Sequence, residues 1–147
     1  MLYNKRAPTV LISDPPTGTA TASTELDIAN ESLVALHVLY SAQGAGKTLK
    51  LYPETRVVIP QGTAWMPALS ASLDVGSAVV DAEGLLPLAV SAPYVELAGV
   101  DGVEVPLTLH LPVPTGDRFR VRVLEDGYSG AAPADLTVFA SAVRGTP

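Results

Sequence analysis

Cysteine is absent from the chain, which excludes disulfide frameworks, thiolate metal sites and cysteine nucleophiles together. Charge is scarce too: Asp, Glu, Lys and Arg make up 16% of the 147 residues, well below typical soluble domains. With 48% hydrophobic residues, so little charge implies that much of the surface is covered. Basic residues are the scarcest, nine in all, and none lies from Val57 to Asp117, where Asp74, Asp81, Glu83, Glu96, Asp101, Glu104 and Asp117 all fall. Phosphate neutralisation needs clustered cations, so the net charge of −6 argues against nucleic-acid binding. Long apolar runs are missing as well. The best, from Gly84 to Val95, is too short to span a bilayer and contains Pro87 and Pro93. No apolar signal region precedes Asp14, so the expectation is no membrane, a retained N-terminus and synthesis in the cytoplasm.

What is abundant is punctuation. Only the stretch from Thr19 to Gln43 runs much beyond a dozen residues without Gly or Pro, which leaves little room for long helices. Alternation of apolar and polar residues is clearest in "VEVPLTLHL", where Val103, Val105, Leu107, Leu109 and Leu111 share a face; Pro106 places this strand at a sheet edge. "DRFRVRV" repeats the pattern, setting Phe119, Val121 and Val123 opposite Arg118, Arg120 and Arg122. Further strands are expected from Ala20 to Ile28, Leu33 to Tyr40, Thr48 to Tyr52, Arg56 to Ile59, Leu86 to Val90, Tyr94 to Leu97 and Leu136 to Val143. Pro67 to Val75 reads as a short helix or an irregular loop.

Many short strands separated by turns mean an all-β fold: an antiparallel β-sandwich or jelly-roll-like barrel with an extended N-terminal arm. Residues 1–22 read as arm and tether, and 23–147 as the sandwich domain. Leu33 to Tyr40 is apolar on both faces, so it is either central beneath a second layer or meets another subunit; its spacing also fits a helix from Glu31 to Ala42. Thirteen prolines and few Asn, Gln and Met residues fit a heat-tolerant protein.

The stretch "SAQGAGKTLK" ends like a phosphate-binding loop, yet Ser41 stands where the first glycine belongs and "LKLYPETRVVIP" reads as strand rather than helix. "AQGAGK" is therefore expected to be the turn of a hairpin joining Leu33 to Tyr40 with Thr48 to Tyr52. His37 and His110 are the only histidines, each within a strand, with no G-x-S-x-G elbow. The acids Asp101 with Glu104, and Asp81 with Glu83, read as solubilising loop residues, with cation binding or acid-base work as the rival reading. No catalytic residue, cofactor or metal ligand set emerges. Two surfaces remain as candidate contacts: the arm strand Thr9, Val10, Leu11 and Ile12, and the stripe of Arg118, Arg120 and Arg122. The arm is expected to dock on a neighbouring copy, so that deleting residues 1–18 leaves the sandwich folded.

Two stretches, Thr21 to Thr55 and Gly116 to Val143, carry a resemblance: a strand, Gly-rich turn and strand, then an "RVRV" strand followed by a strand of small residues. They resemble β-sandwich proteins of tailed-phage virions, most closely capsid decoration or cement proteins, here of a phage from a hot environment. The resemblance covers roughly two-fifths of the chain and implies a homotrimer bound to the major capsid protein on the virion surface, without catalysis. Two other classes stay open. A ligand-binding sandwich for carbohydrate or a cell surface would use a site near Trp65, as in phage tails or fibres. A small hydrolase would assemble Ser and acid groups around His37 or His110.

Overall fold

The computed structural model describes residues 2–5, 7–31, 33–68, 94–112 and 116–146. Among them there are eleven strands and no helix, in two antiparallel sheets. Sheet A holds β1 (Leu2–Lys5) and β2 (Thr9–Ile12), then β11 (Asp135–Thr146), β5 (Leu33–Ser41) and β9 (Glu104–Pro112). Sheet B holds β3 (Thr21–Ala22) and β4 (Leu26–Asp27), then β10 (Arg118–Asp126), β6 (Thr48–Ile59), and β7 (Gly62–Pro67) with β8 (Val95–Ala98). The all-β expectation is met, and the helix from Glu31 to Ala42 does not form. The stretch 86–90 and residues 69–75 lie outside the described residues.

β1 and β2 run one after the other along the same edge of β11, as β3 and β4 do along β10, and β7 and β8 along β6. Treating each such pair as one position reduces the eleven strands to eight, ordered 1-8-3-6 in sheet A and 2-7-4-5 in sheet B. Successive positions mostly alternate between the sheets, which is the connectivity of a jelly roll.

The split edges have local causes. Pro53 sits in the central strand β6, where a missing N–H would normally break a ladder. Its carbonyl accepts from the Ala68 amide on the β7/β8 side, so the absent donor also faces that side. There it meets the gap between β7, which ends at Pro67 opposite Glu54, and β8, which starts at Val95 opposite Leu51. Across β10, Ser23 fills the gap between β3 and β4: its amide donates to the Val121 carbonyl and its hydroxyl oxygen accepts from the Val121 amide. Pro106 lies on β9, which among the described residues pairs only with β5, at the edge expected for it.

Period-two patterning fills the space between the sheets. Val34, Leu36, Val38 and Tyr40 of β5 and Leu136, Val138, Ala140 and Ala142 of β11 meet Leu49 and Leu51 of β6 and Phe119, Val121 and Val123 of β10. The hairpin expected around "AQGAGK" is corrected. β5 and β6 belong to different sheets, so the loop after Ser41 arches from one layer to the other. Each strand already has a hydrogen-bonded neighbour on both sides, which leaves no edge for the two to share. Gly44 and Gly46 take φ of 109° and 75° to make the arch, conformations that a side chain resists.

Candidate functional site

The two sheets turn opposite kinds of surface outward. Alternation on sheet B sends Lys50, Tyr52, Glu54 and Arg56 of β6 to the outer face, with Arg118, Arg120 and Arg122 of β10 and Trp65 of β7. Register sets Glu54 directly opposite Arg120, one pair from Arg122, so a single carboxylate receives both guanidinium groups: Arg120 Nε donates to Oε1 at 2.8 Å and Arg122 Nη2 to Oε2 at 2.6 Å. Glu54 is 1% exposed, and Arg120 and Arg122 are 7% and 8% exposed. The Arg120 guanidinium also lies 4.1 Å from the centre of the buried Trp65 ring, a cation–π contact. Tyr52 and Tyr94 approach at 5.3 Å nearby, with the Lys50 ammonium 5.0 Å from the Tyr94 ring.

This corrects the arginine stripe. Its three members do share one face of β10, but Arg120 and Arg122 are buried in ion pairs within the chain. A second pair caps the same face, with Arg56 Nε and Nη2 donating to the two oxygens of Asp117 at 3.0 and 2.7 Å. These hydrogen bonds hold the Asp117 carboxyl below its ordinary range, against a smaller opposing effect of burial. A depressed carboxyl stabilises the fold above its unfolded pKa of about 3.9, and that contribution is lost as pH falls through the lower folded value. The effect is small, because the Asp117 side chain is half exposed.

The arm residues lie within the chain's own sheet A. Thr9, Val10 and Ile12 pair with β11 of the same chain, and Leu11 is buried among the core residues between the sheets. The Leu11 carbonyl accepts from the Thr24 amide at 3.3 Å and from its hydroxyl at 3.4 Å, tying the edges of the two sheets together. Without β2 the outer edge of β11 at 138–140 would lose its partner and the core its Leu11 plug. Beside β2 lies a cleft of about 370 Å³ lined by Val10–Pro15, Thr17, Thr21–Thr24 and Val123.

A buried carboxylate and a buried phenol meet inside the sandwich. Glu125, 1% exposed at the end of β10, accepts a 2.6 Å hydrogen bond from the Tyr40 hydroxyl through Oε2, while its Oε1 has no partner. Burial, then the bond to Glu125, pushes the Tyr40 hydroxyl well above its ordinary pKa. The neutral phenol is therefore the folded form. It contributes stability below about pH 10, which is lost as pH rises through the higher folded value. Tyr40→Phe should cost about 1–3 kcal/mol, measured by urea unfolding at neutral pH, because the buried carboxylate would lose its remaining hydrogen bond. A loss under about 0.5 kcal/mol would show that the pair is not structural.

Lys47 of the "GAGKT" stretch packs its side chain near Gly44, in a loop held by Asp101 Oδ1 accepting from the Gly44 amide at 2.8 Å. Asp101 is thus a turn fastener. Strand β6 begins immediately after Lys47, so the helix N-terminus that cradles phosphate in such loops is not built there. Lys47→Ala is expected to leave ATP affinity unchanged in equilibrium dialysis. Micromolar ATP binding that disappears on the change would overturn this.

The outer face of sheet A is different. Leu33, Ala35, His37 and Leu39 of β5 lie beside Thr137, Phe139, Ser141 and Val143 of β11, and beside Pro106, Thr108 and His110 of β9. None of these is Asp, Glu, Lys or Arg. His37 stacks on Phe139 with ring centres 4.9 Å apart, and its Nδ1 lies 3.1 Å from the Thr108 hydroxyl. Ala35, Ser141 and Val143 are buried, whereas Leu33, His37, Leu39 and Phe139 are half-buried and His110 is exposed. The alternation of β5 anticipated this face; nothing local signalled Glu54, whose partners lie 66 and 68 residues away in sequence.

No protein-family model and no curated protein matches the chain. Among solved structures, the CBM22-1 xylan-binding domain from Paenibacillus barcinonensis Xyn10C is similar at 10% identity and a TM-score of 0.37, covering 97% of this chain and 84% of that one. A score this low establishes neither shared residues nor a shared ligand.

Proposed function

We propose that the protein is a structural component of a phage virion that works by binding and catalyses nothing, decorating the capsid exterior as a homotrimer. The observation that supports this best is the contrast between the two outer faces. Glu54, Arg120 and Arg122 of sheet B are ion-paired within the chain, whereas sheet A presents Leu33, Leu39 and Phe139 with no formal charge at the positions directly opposite them on β5, β9 and β11. An uncharged, largely apolar sheet face is the surface a soluble protein reserves for contact. Jelly rolls serve both capsid and lectin domains, so the fold leaves the choice to such surfaces. Repetition supplies the strength of a cement, since many copies add modest contacts over one shell.

The purified protein should bind bare expanded capsids of its phage saturably, in a fixed ratio, and raise their disruption temperature. Phe139→Glu should weaken that binding at least tenfold while the circular dichroism spectrum is kept. Binding unchanged by the glutamate would rule out this face. The half-buried ring of Tyr94, packed against Tyr52 beside the other sheet, supports a second reading, a carbohydrate-binding sandwich of a tail or fibre. Oligosaccharide binding lost on Tyr94→Ala, with no capsid affinity, would put that reading first.

A further inference from the structure

The cleft beside β2 lies where the edges of the two sheets part, next to the tie from Leu11 to Thr24. Its floor reaches the core at Leu11 and Val123, and its walls carry Ser13, Asp14, Thr21 and Thr24. We infer that this cleft receives a lysine or arginine side chain borne on an extended peptide segment of a partner, with the alkyl stem against the apolar floor and the cationic head at Asp14. The site is separate from the outer face of sheet A.

The physical case is an inventory of donors and acceptors. Among the described residues of the lining there is no Lys, Arg, His, Asn or Gln, and Asp14, an exposed residue, is the one charged side chain. The hydroxyls of Thr24, Ser23 and Thr17 spend their protons inside the chain, donating to the carbonyls of Leu11 at 3.4 Å, Thr24 at 2.8 Å and Thr19 at 2.8 Å. The Ser23 and Thr24 amides are spent as well, on Val121 and Leu11. A hydroxyl that has committed its proton keeps lone pairs, and a carboxylate only accepts. The walls are therefore rich in acceptors and poor in donors, the complement of an ammonium or guanidinium group whose stem lies along apolar surface. At about 370 Å³ the cleft is near the small end of ligand pockets, about 300–1,000 Å³, which suits one long side chain. The backbone supplies the rest. Ser23 turns its amide to β10, so by alternation Ala22 turns its N–H and C=O away, and β3 pairs with β10 alone among the described residues. An extended segment added to this edge hydrogen-bonds Ala22 while one of its side chains enters the cleft.

The test is isothermal titration calorimetry with a short blocked peptide of alternating Val and Thr that carries one central lysine, with its norleucine analogue, and with butylammonium. The lysine peptide should bind saturably and the norleucine peptide about tenfold more weakly, the worth of one hydrogen bond to a charged group. Asp14→Asn should bring the lysine peptide down to the level of the norleucine one with the melting temperature kept, because Asp14 is exposed. Ala22→Pro, which removes an outward N–H from an edge strand, should weaken both peptides, and its thermal melt separates loss of contact from loss of fold. Equal binding of the lysine and norleucine peptides, or no loss in Asp14→Asn, would overturn the inference. Butylammonium that binds as tightly as the lysine peptide would overturn it too, by making a free amine the occupant. No binding by either peptide would remove the site and leave the capsid-binding reading of sheet A untouched.

Discussion

Replacing Glu54 with leucine should lower stability by about 3–5 kcal/mol, because it strands two buried guanidinium groups rather than deleting one contact. Arg120 and Arg122 each direct a charge-assisted hydrogen bond at this carboxylate, and both are less than a tenth exposed. Arg120 Nη2 and Arg122 Nε already lack partners, so the cluster holds no spare acceptor to take over. For a domain of this size the loss corresponds to a fall in melting temperature of about 6–20 °C. The companion experiment replaces all three residues with apolar ones, Glu54→Leu, Arg120→Met and Arg122→Leu. Most of the lost stability should return, because the cost lies in the unpaired cations. A single variant that melts within about 2 °C of the native protein would show that the arginines are satisfied in another way.

Leu11→Ala should cost about 2–4 kcal/mol by urea denaturation, the range for emptying a buried leucine site. Removal of residues 1–12 should be worse, leaving an unfolded or aggregating chain. The deletion takes away Leu11 from the core, β2 from the edge of β11 at 138–140 and β1 from 143–146, and the tie from Leu11 to Thr24. An exposed β11 edge would then be a template for unwanted pairing. A truncated protein that melts cooperatively near the native temperature would instead restore the arm as a separate docking segment.

The arm shows what local sequence leaves open. "APTVLIS" followed by "DPPTGTATAS" looks like an apolar strand on a polyproline tether, and nothing within it specifies a partner. Its partner is β11, more than 120 residues later, so the choice between its own sheet and a neighbour's belongs to long-range pairing. The arginine stripe misleads for the same reason. Alternation places Arg118, Arg120 and Arg122 on one face, but the acid that neutralises two of them arrives from β6 by register. The loop "AQGAGK" does connect two strands, as its glycines imply, yet whether flanking strands pair or separate into layers depends on their other neighbours.

By itself the sequence determined the fold class, the strands β5, β9, β10 and β11 to within a few residues, the edge position of β9, and the double apolar character of β5. Each of these follows from local chemistry: period-two alternation, the missing N–H of Pro106, and the helix-breaking density of Gly and Pro. Only the tertiary structure decided which strands share a sheet, where the arm closes, that Glu54 gathers Arg120 and Arg122, and that both histidines face outward on the uncharged side. The physical reason is that side-chain direction repeats every two residues along a strand and is fixed by covalent geometry, whereas sheet partners are chosen by burial and hydrogen bonding among segments far apart in the chain.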